Sequence, residues 1–310
     1  MFTRFFGKSS FFSYALALGL FVGVYFFHIY SFPISPESGF QKTVQTFAFL
    51  LLLLLFLGLD WIVRIQYWNQ KSIYHLFLFC LLFFLLPLSN FKIWELMSLV
   101  FFWIGFIQIL GLDKTNSFVK SVFNGALWMT ISGLFVNAYF LLFPLVWGIL
   151  WCYSRLNIQS FLITLLPAIA LGFLGQLIDV FIPTRWLNTG DLFHLQWNIP
   201  AFSTFYETVL FLGLTLFFIV VSIYHYRSFS HRGAQYLSSI FSLFLVFFTS
   251  LGFILFFHLE EGMSLLLLVL TFSALSGAYV ESIKRKWIRE LILFFLLGIV
   301  LLYRLNPVGG

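Results

Sequence analysis

The sequence predicts an all-α, polytopic transmembrane helical bundle, and three observations predict it. Of its 310 residues, 61% are hydrophobic and 9% charged, with a mean hydropathy of +1.01, whereas soluble domains carry about 25% charged residues. Apolar runs of about 20 residues, enough to cross roughly 30 Å of hydrocarbon, recur along the whole chain. No segment has the short alternating pattern of a membrane β-barrel strand. The chain reads as one integral membrane domain over residues 1–310.

Taken in order, the runs place spans at roughly 11–32, 44–63, 72–88, 93–112, 118–136, 138–153, 160–182, 204–225, 235–257, 263–281 and 288–304. That is about 11 spans, with 10 to 12 as the range. The first run follows Arg4 and Lys8 and has no small-x-small cleavage site before the next helix, so it reads as a retained span, not a signal peptide. Residues 118–153 are too long for one crossing and have almost no loop between two. There, Asn137 and Pro144 mark either a tight turn or a re-entrant half-helix buried in protein.

Lysine and arginine counts set the orientation. With the N-terminus cytoplasmic, 13 of the 17 basic residues fall inside, and only Lys42, Lys92, Arg185 and Arg304 fall outside. The bias predicts an odd number of spans, with the C-terminus on the outer side of the membrane. It also favours two crossings within 118–153, because losing one would reverse every later loop. Trp61, Trp68, Trp94, Trp151, Trp186, Trp197 and Trp287 fall at span ends, where amphipathic rings suit the headgroup layer. Trp103, Trp128 and Trp147 fall deeper and read as packing.

Several function classes are disfavoured. The net charge of +6 is dispersed among loops, so it points to topology and membrane lipids, not to nucleic acid. Cys80 and Cys152 lie at different depths and read as free buried thiols. The sequence has no Gly-rich phosphate loop, no paired His or Cys metal spacing and no Gly-x-Ser-x-Gly elbow, so no cofactor or metal is expected. Few polar groups fall mid-span, Gln108, Asn124, Asn137 and Gln176 being the main ones, which argues against an ion-coupled transporter.

The longest stretch without a span, PTRWLNTGDLFHLQWNIPAFS at 183–203, reads as a periplasmic interfacial loop. If Asp191 caps a short surface helix, it shares a polar side with His194 while Leu192, Leu195 and Trp197 face lipid. A carboxylate beside an imidazole is the smallest general-base unit; the same residues equally form a cap beside a solvated histidine. Arg185 suits a phosphate headgroup, and Asp179 at the end of the preceding span could join it. Glu37, in Ser35-Pro36-Glu37, is either a helix-start acid or a catalytic acid of the first outer loop. Glu207, after Thr204, has capping-box spacing, and Glu260 and Glu261 open a span. Glu95 falls one turn into its span, within reach of water. On the inner side, Asp60 with Arg64, Glu281 with Arg285 and Lys286 with Glu290 have the spacing of helical ion pairs. The basic run at 284–290 reads as an anchor on anionic lipid.

Three segments carry a resemblance. FFGKSSFFSYALALGLFVGVYFF near the start, the run WMTISGLFVNAYFLLFPLVWGILWCYSRLNIQSFLITLLPAIA (128–170) and the C-terminal EEGMSLLLLVLTFSALSGAYVESIKRKWIRELILFFLLGIVLL (260–302) resemble an uncharacterised multi-span inner-membrane family of the Bacteroidota. That resemblance implies an inner-membrane location and brings no activity or catalytic residue. The stretch after Asn124, a Gly-containing helix, an aromatic-Pro element and another span, is similar to membrane glycosyltransferases and polymerases that use polyprenyl-phosphate substrates. This second likeness implies an acidic residue in the first outer loop, for which Glu37 is the candidate.

Two functions follow as expectations. One is a non-catalytic subunit or scaffold of a cell-envelope complex, partnered by other envelope membrane proteins. The other is an enzyme or binding protein handling a lipid-linked phosphate or sugar at the periplasmic face. It would use Asp191, His194 and Glu37 as acid/base groups and Arg185 with Asp179 as binding groups.

Overall fold

Ser10 starts the first long helix: its hydroxyl accepts from the Ser13 backbone N–H at 3.2 Å. From there the chain builds helix after helix. The computed structural model describes residues 2–31, 39–65, 72–86, 92–111, 118–136, 143–181, 205–228, 234–256 and 261–305. Among these, every regular element is a helix: α1 (Phe2–Phe6), α2 (Phe11–Ser31), α3 (Gly39–Ile65), α4 (Tyr74–Phe83), α5 (Ile93–Leu110), α6 (Phe118–Phe135), α7 (Phe143–Cys152), α8 (Ile158–Phe181), α9 (Phe205–Ser228), α10 (Ala234–Phe256), α11 (Glu261–Ser282) and α12 (Lys286–Leu305). Five stretches, in α2, α3, α5, α10 and α11, are long and apolar enough to cross a membrane. This is a membrane protein.

One predicted span holds a shorter helix than expected. Where 72–88 was expected to cross, α4 has ten residues, about 15 Å of axis. All ten are buried, packed against α2, α3 and α11. Of the span expected at 138–153, residues 138–142 lie outside the described residues, and α7 covers ten of the rest.

Ser98 near the start of α5 and Ser132 near the end of α6 exchange hydroxyl-to-carbonyl bonds of 2.7 Å each, so those helices run antiparallel. Just past the end of α7, Tyr153 lies 3.4 Å from the Leu110 carbonyl at the end of α5, donating its hydroxyl there. The end of α7 therefore meets the end of α5. A defined corner then leads into α8. Ser154 takes a left-handed φ of 53°, while the Arg155 N–H reaches back to the Leu150 carbonyl (2.9 Å) and the Ser154 N–H to Trp151 (2.8 Å). This is a Schellman closure, with a serine where glycine is usual. Asn157 and Ser160 then cap α8 reciprocally, at 2.7 and 2.9 Å.

Contacts sort the helix ends into two groups. The start of α2, the end of α3, the start of α4, the end of α11 and the start of α12 converge through Tyr14, Asp60, His75, Glu281 and Arg289. At the opposite ends of α2, α4 and α12, His28 Nε2 donates to the Phe83 carbonyl at 3.3 Å, and Arg304 Nη2 lies 3.4 Å from His28 Nδ1. The tryptophans expected at span ends are exposed where described: Trp61 54%, Trp94 51%, Trp151 72% and Trp287 63%. The deeper ones pack as expected: Trp128 stacks on Phe101, and Trp147 packs on Phe161 while donating its indole N–H to Thr164 at 2.8 Å.

Candidate functional site

One glycine-sized feature lets the main polar cluster form. At Gly277 of α11 a Cβ would lie 2.7–2.8 Å from the Cβ, Cα and N of His75, so only glycine lets α11 lie directly on the backbone of α4. That approach, together with α2 and α3, closes His75 completely, at 0% exposure.

His75 Nε2 donates to Asp60 Oδ1 at 2.9 Å. A carboxylate only accepts, so this bond fixes the proton of a neutral ring on Nε2 and leaves Nδ1 with the lone pair. Nδ1 is buried with no hydrogen-bond partner among the described residues. Asp60 is bonded on both oxygens. Arg64 Nε donates to Oδ2 at 2.9 Å, and the Tyr14 hydroxyl lies 3.0 and 3.1 Å from the two oxygens. Arg64 Nη2 donates to that same Tyr14 hydroxyl, and its guanidinium sits over the Tyr14 ring at 5.3 Å. One carboxylate therefore joins α2, α3 and α4.

A second set adjoins it. Ser72 donates to Glu281 Oε2 at 2.7 Å. Arg289 Nη1 donates to the Tyr74 hydroxyl at 3.1 Å, and its Nη2 donates to the backbone carbonyls of Ile283 and, at 3.4 Å, Glu281. The Ile73 N–H donates to the Phe6 carbonyl at 2.9 Å, tying α1 beneath α4. Together these bonds fasten α11 and α12 to the start of α4.

The expected pair of Asp60 with Arg64 is present. The expected pair of Glu281 with Arg285 is corrected: α11 stops at Ser282 and α12 starts at Lys286, so the two residues share no helix. Glu281 bonds Ser72 instead. Glu95 is corrected too. It does not reach water; it is 0% exposed, with Lys92 Nζ 3.7 Å from its carboxylate. Cys80 and Cys152 are both free, as expected.

The proposed outer patch is not tested by these contacts. Glu37, Arg185, Asp191 and His194 lie outside the described residues, and Asp179 lies in α8 with its side chain outside them. No group of three or more His, Cys, Asp or Glu suited to a metal occurs among the described residues. His75, Tyr14, Ser72 and Arg289 are members of the cluster that sequence reasoning missed. The available signal was His75, an imidazole at the start of an apolar run that needs a buried partner.

No protein-family model, no curated protein and no solved structure matches this chain. The geometry therefore stands by itself. It describes polar groups bonded to one another across five helices.

Proposed function

We propose that the protein is a non-catalytic subunit or scaffold of a cell-envelope complex in a bacterial cytoplasmic membrane. It crosses that membrane eleven times, with its N-terminus cytoplasmic and its C-terminus periplasmic. The observation that carries this reading is the closure of the Asp60 network: both carboxylate oxygens bond side chains from α2, α3 and α4. Ionisable groups inside a membrane mark function by default; these hold helices in register. The grouping of the ends of α2, α3, α4, α11 and α12 is consistent with that topology, and the weight of basic residues on the Asp60 side supports the orientation.

A partner's transmembrane helix would dock on α2. Gly19 and Gly23 stand four apart, with open space where each Cβ would be. They floor an apolar groove of about 550 Å³ walled by Leu16, Leu20, Phe27 and Phe84. Between helices in lipid, close backbone approach over small residues replaces the hydrophobic drive that water supplies.

The test is purification in mild detergent followed by mass spectrometry. A stoichiometric protein partner is expected with the natural sequence, lost on Gly19→Leu with Gly23→Leu at normal accumulation. Asp191→Asn and His194→Ala are expected to leave complementation of a deletion strain intact. A partner-free protein carrying a polyprenyl phosphate or glycolipid, with complementation abolished by Asp191→Asn, would replace this reading with the periplasmic lipid-linked phosphate or sugar enzyme.

A further inference from the structure

The structure divides the basic run at 284–290 into an inward and an outward part. Arg289 faces in: its guanidinium lies over the Tyr74 ring at 5.4 Å and closes on the carbonyls of Glu281 and Ile283 at the end of α11. Lys284, Arg285 and Lys286 face out. All three are exposed, and none has an ion-pair partner among the described residues. Arg289 thus holds the turn from behind, and three successive cations stand clear of it.

Helix α12 also begins against the usual charge rule. Acids favour the first turn of a helix, where the dipole is positive; α12 has none there, and Lys286 opens it. The three cations repel that pole and one another, and an anion from outside the chain relieves both. Beyond the cations the same helix shows a second chemistry. Trp287, Leu291, Phe294 and Phe295 are 63%, 57%, 51% and 57% exposed, and their spacing puts them on one face. Leu293, Leu296 and Val300, on the opposite face, are buried. The exposed face continues to Gly298, where a Cβ would meet nothing within 4 Å. From Trp287 to Gly298 is about 16 Å of helix axis, half of the roughly 30 Å of hydrocarbon in a bilayer. Phe2 of α1 borders this stripe, edge-on to Phe294 with ring centroids 4.8 Å apart. A nucleic acid or an acidic peptide would use the cations and leave the stripe uncovered. A molecule with an anionic head and an acyl tail uses both.

We infer that the α11–α12 turn binds an anionic phospholipid from the leaflet on the Asp60 side. Its phosphate meets Lys284, Arg285 and Lys286, the Trp287 ring lies at its glycerol, and an acyl chain runs down the stripe to Gly298. The site is separate from the α2 groove and does not depend on a partner helix there.

The experiment titrates tritiated palmitoyl-oleoyl phosphatidylglycerol into delipidated full-length protein in mild neutral detergent and counts bound lipid by scintillation proximity. Phosphatidylcholine of the same chains, which has no net charge, should bind more weakly. Each cation near an anionic headgroup is worth about fivefold at low salt. Lys284→Gln, Arg285→Gln and Lys286→Gln together should therefore weaken phosphatidylglycerol about a hundredfold and leave phosphatidylcholine unchanged. Lys120→Gln with Arg155→Gln removes two exposed cations elsewhere and should leave the preference intact. Equal binding of the two lipids, or an equal loss in both variants, overturns the assignment. So does displacement by inorganic phosphate beyond that by sodium chloride of equal ionic strength, which would mark a site for the free anion. Should the triple variant fail to accumulate, salt decides on the natural sequence: 1 M sodium chloride, with a Debye length of about 3 Å, should erase the preference, and a preference that persists there overturns it.

Discussion

Helices α4 and α8 are both apolar almost throughout and lie in opposite surroundings. Every residue of α4 is buried, from Tyr74 to Phe83. On α8, Leu162, Leu166, Ile169 and Phe173 are 58%, 57%, 68% and 63% exposed. A helix apolar all round is either a protein core or a lipid-facing span, and these two show both in one chain. What separates them is the neighbour. α4 meets α11, whose Gly277, Ser273 and Thr271 are small and buried, so two backbones can approach. α8 exposes large side chains to what we read as lipid, and a Cβ at its Gly172 would meet nothing within 4 Å.

The largest expected effect breaks the contrast at its two glycines. Gly277→Leu forces a side chain into the His75 backbone and should abolish accumulation of folded protein, read by fluorescence-detected size exclusion. Gly172→Ala should change the melting point little, or raise stability by up to about 1 kcal/mol through helix propensity; equal damage at both sites would remove the distinction. Next comes Asp60→Ala, which orphans His75 and Arg64. Breaking a buried pair costs about 3–5 kcal/mol, and the partial exposure of Arg64 and Asp60, 33% and 16%, lowers the expectation to about 2–3 kcal/mol. Thermal unfolding in detergent measures it, and a loss below about 0.5 kcal/mol, the level of a surface pair, would mean the network is not structural. Smaller still is the coupling between Ser98 and Ser132. A double-mutant cycle to alanine should return about 0.6 kcal/mol, the average for hydrogen bonds between membrane helices. The least perturbing probe leaves the fold alone: maleimide should label Cys152, at the end of α7, well before Cys80, which is 3% exposed within α4. Equal labelling rates would contradict the burial of α4.

Much of this was legible in the sequence, for definite reasons. Apolar length marks α2, α3, α5, α10 and α11, because hydrocarbon thickness sets a minimum run that nothing else in the chain requires. The four-residue spacing of Asp60 and Arg64 marks their pair, because it lies inside one helix. The rest depends on contacts distant in sequence. His75 meets Asp60 fifteen positions away, and Ser72 meets Glu281 across 209; no local pattern encodes either. The interruption at 283–285 hides in SIKRKW, which has no Gly or Pro to announce it, so Glu281 was assigned the wrong partner. Glu95 lies one turn from its span end, a distance that suggests water, whereas Leu96, Leu99 and Ser98 beside it are all buried.

The bonds at the start of α4 also differ in when they can form. Tyr14, Asp60, Arg64 and His75 belong to the first quarter of the chain, so α2, α3 and α4 can join as soon as they leave the ribosome. Glu281 and Arg289 are synthesised some two hundred residues later. Until then α4 lacks its largest neighbour, and its His75 backbone faces lipid or a chaperone. The wall supplied by α11 and α12 is thus a late seal on an early core. In nascent chains halted before residue 261 a Ser72→Cys thiol should be open to maleimide, and in chains released at full length α11, which carries the Glu281 partner of residue 72, should protect it.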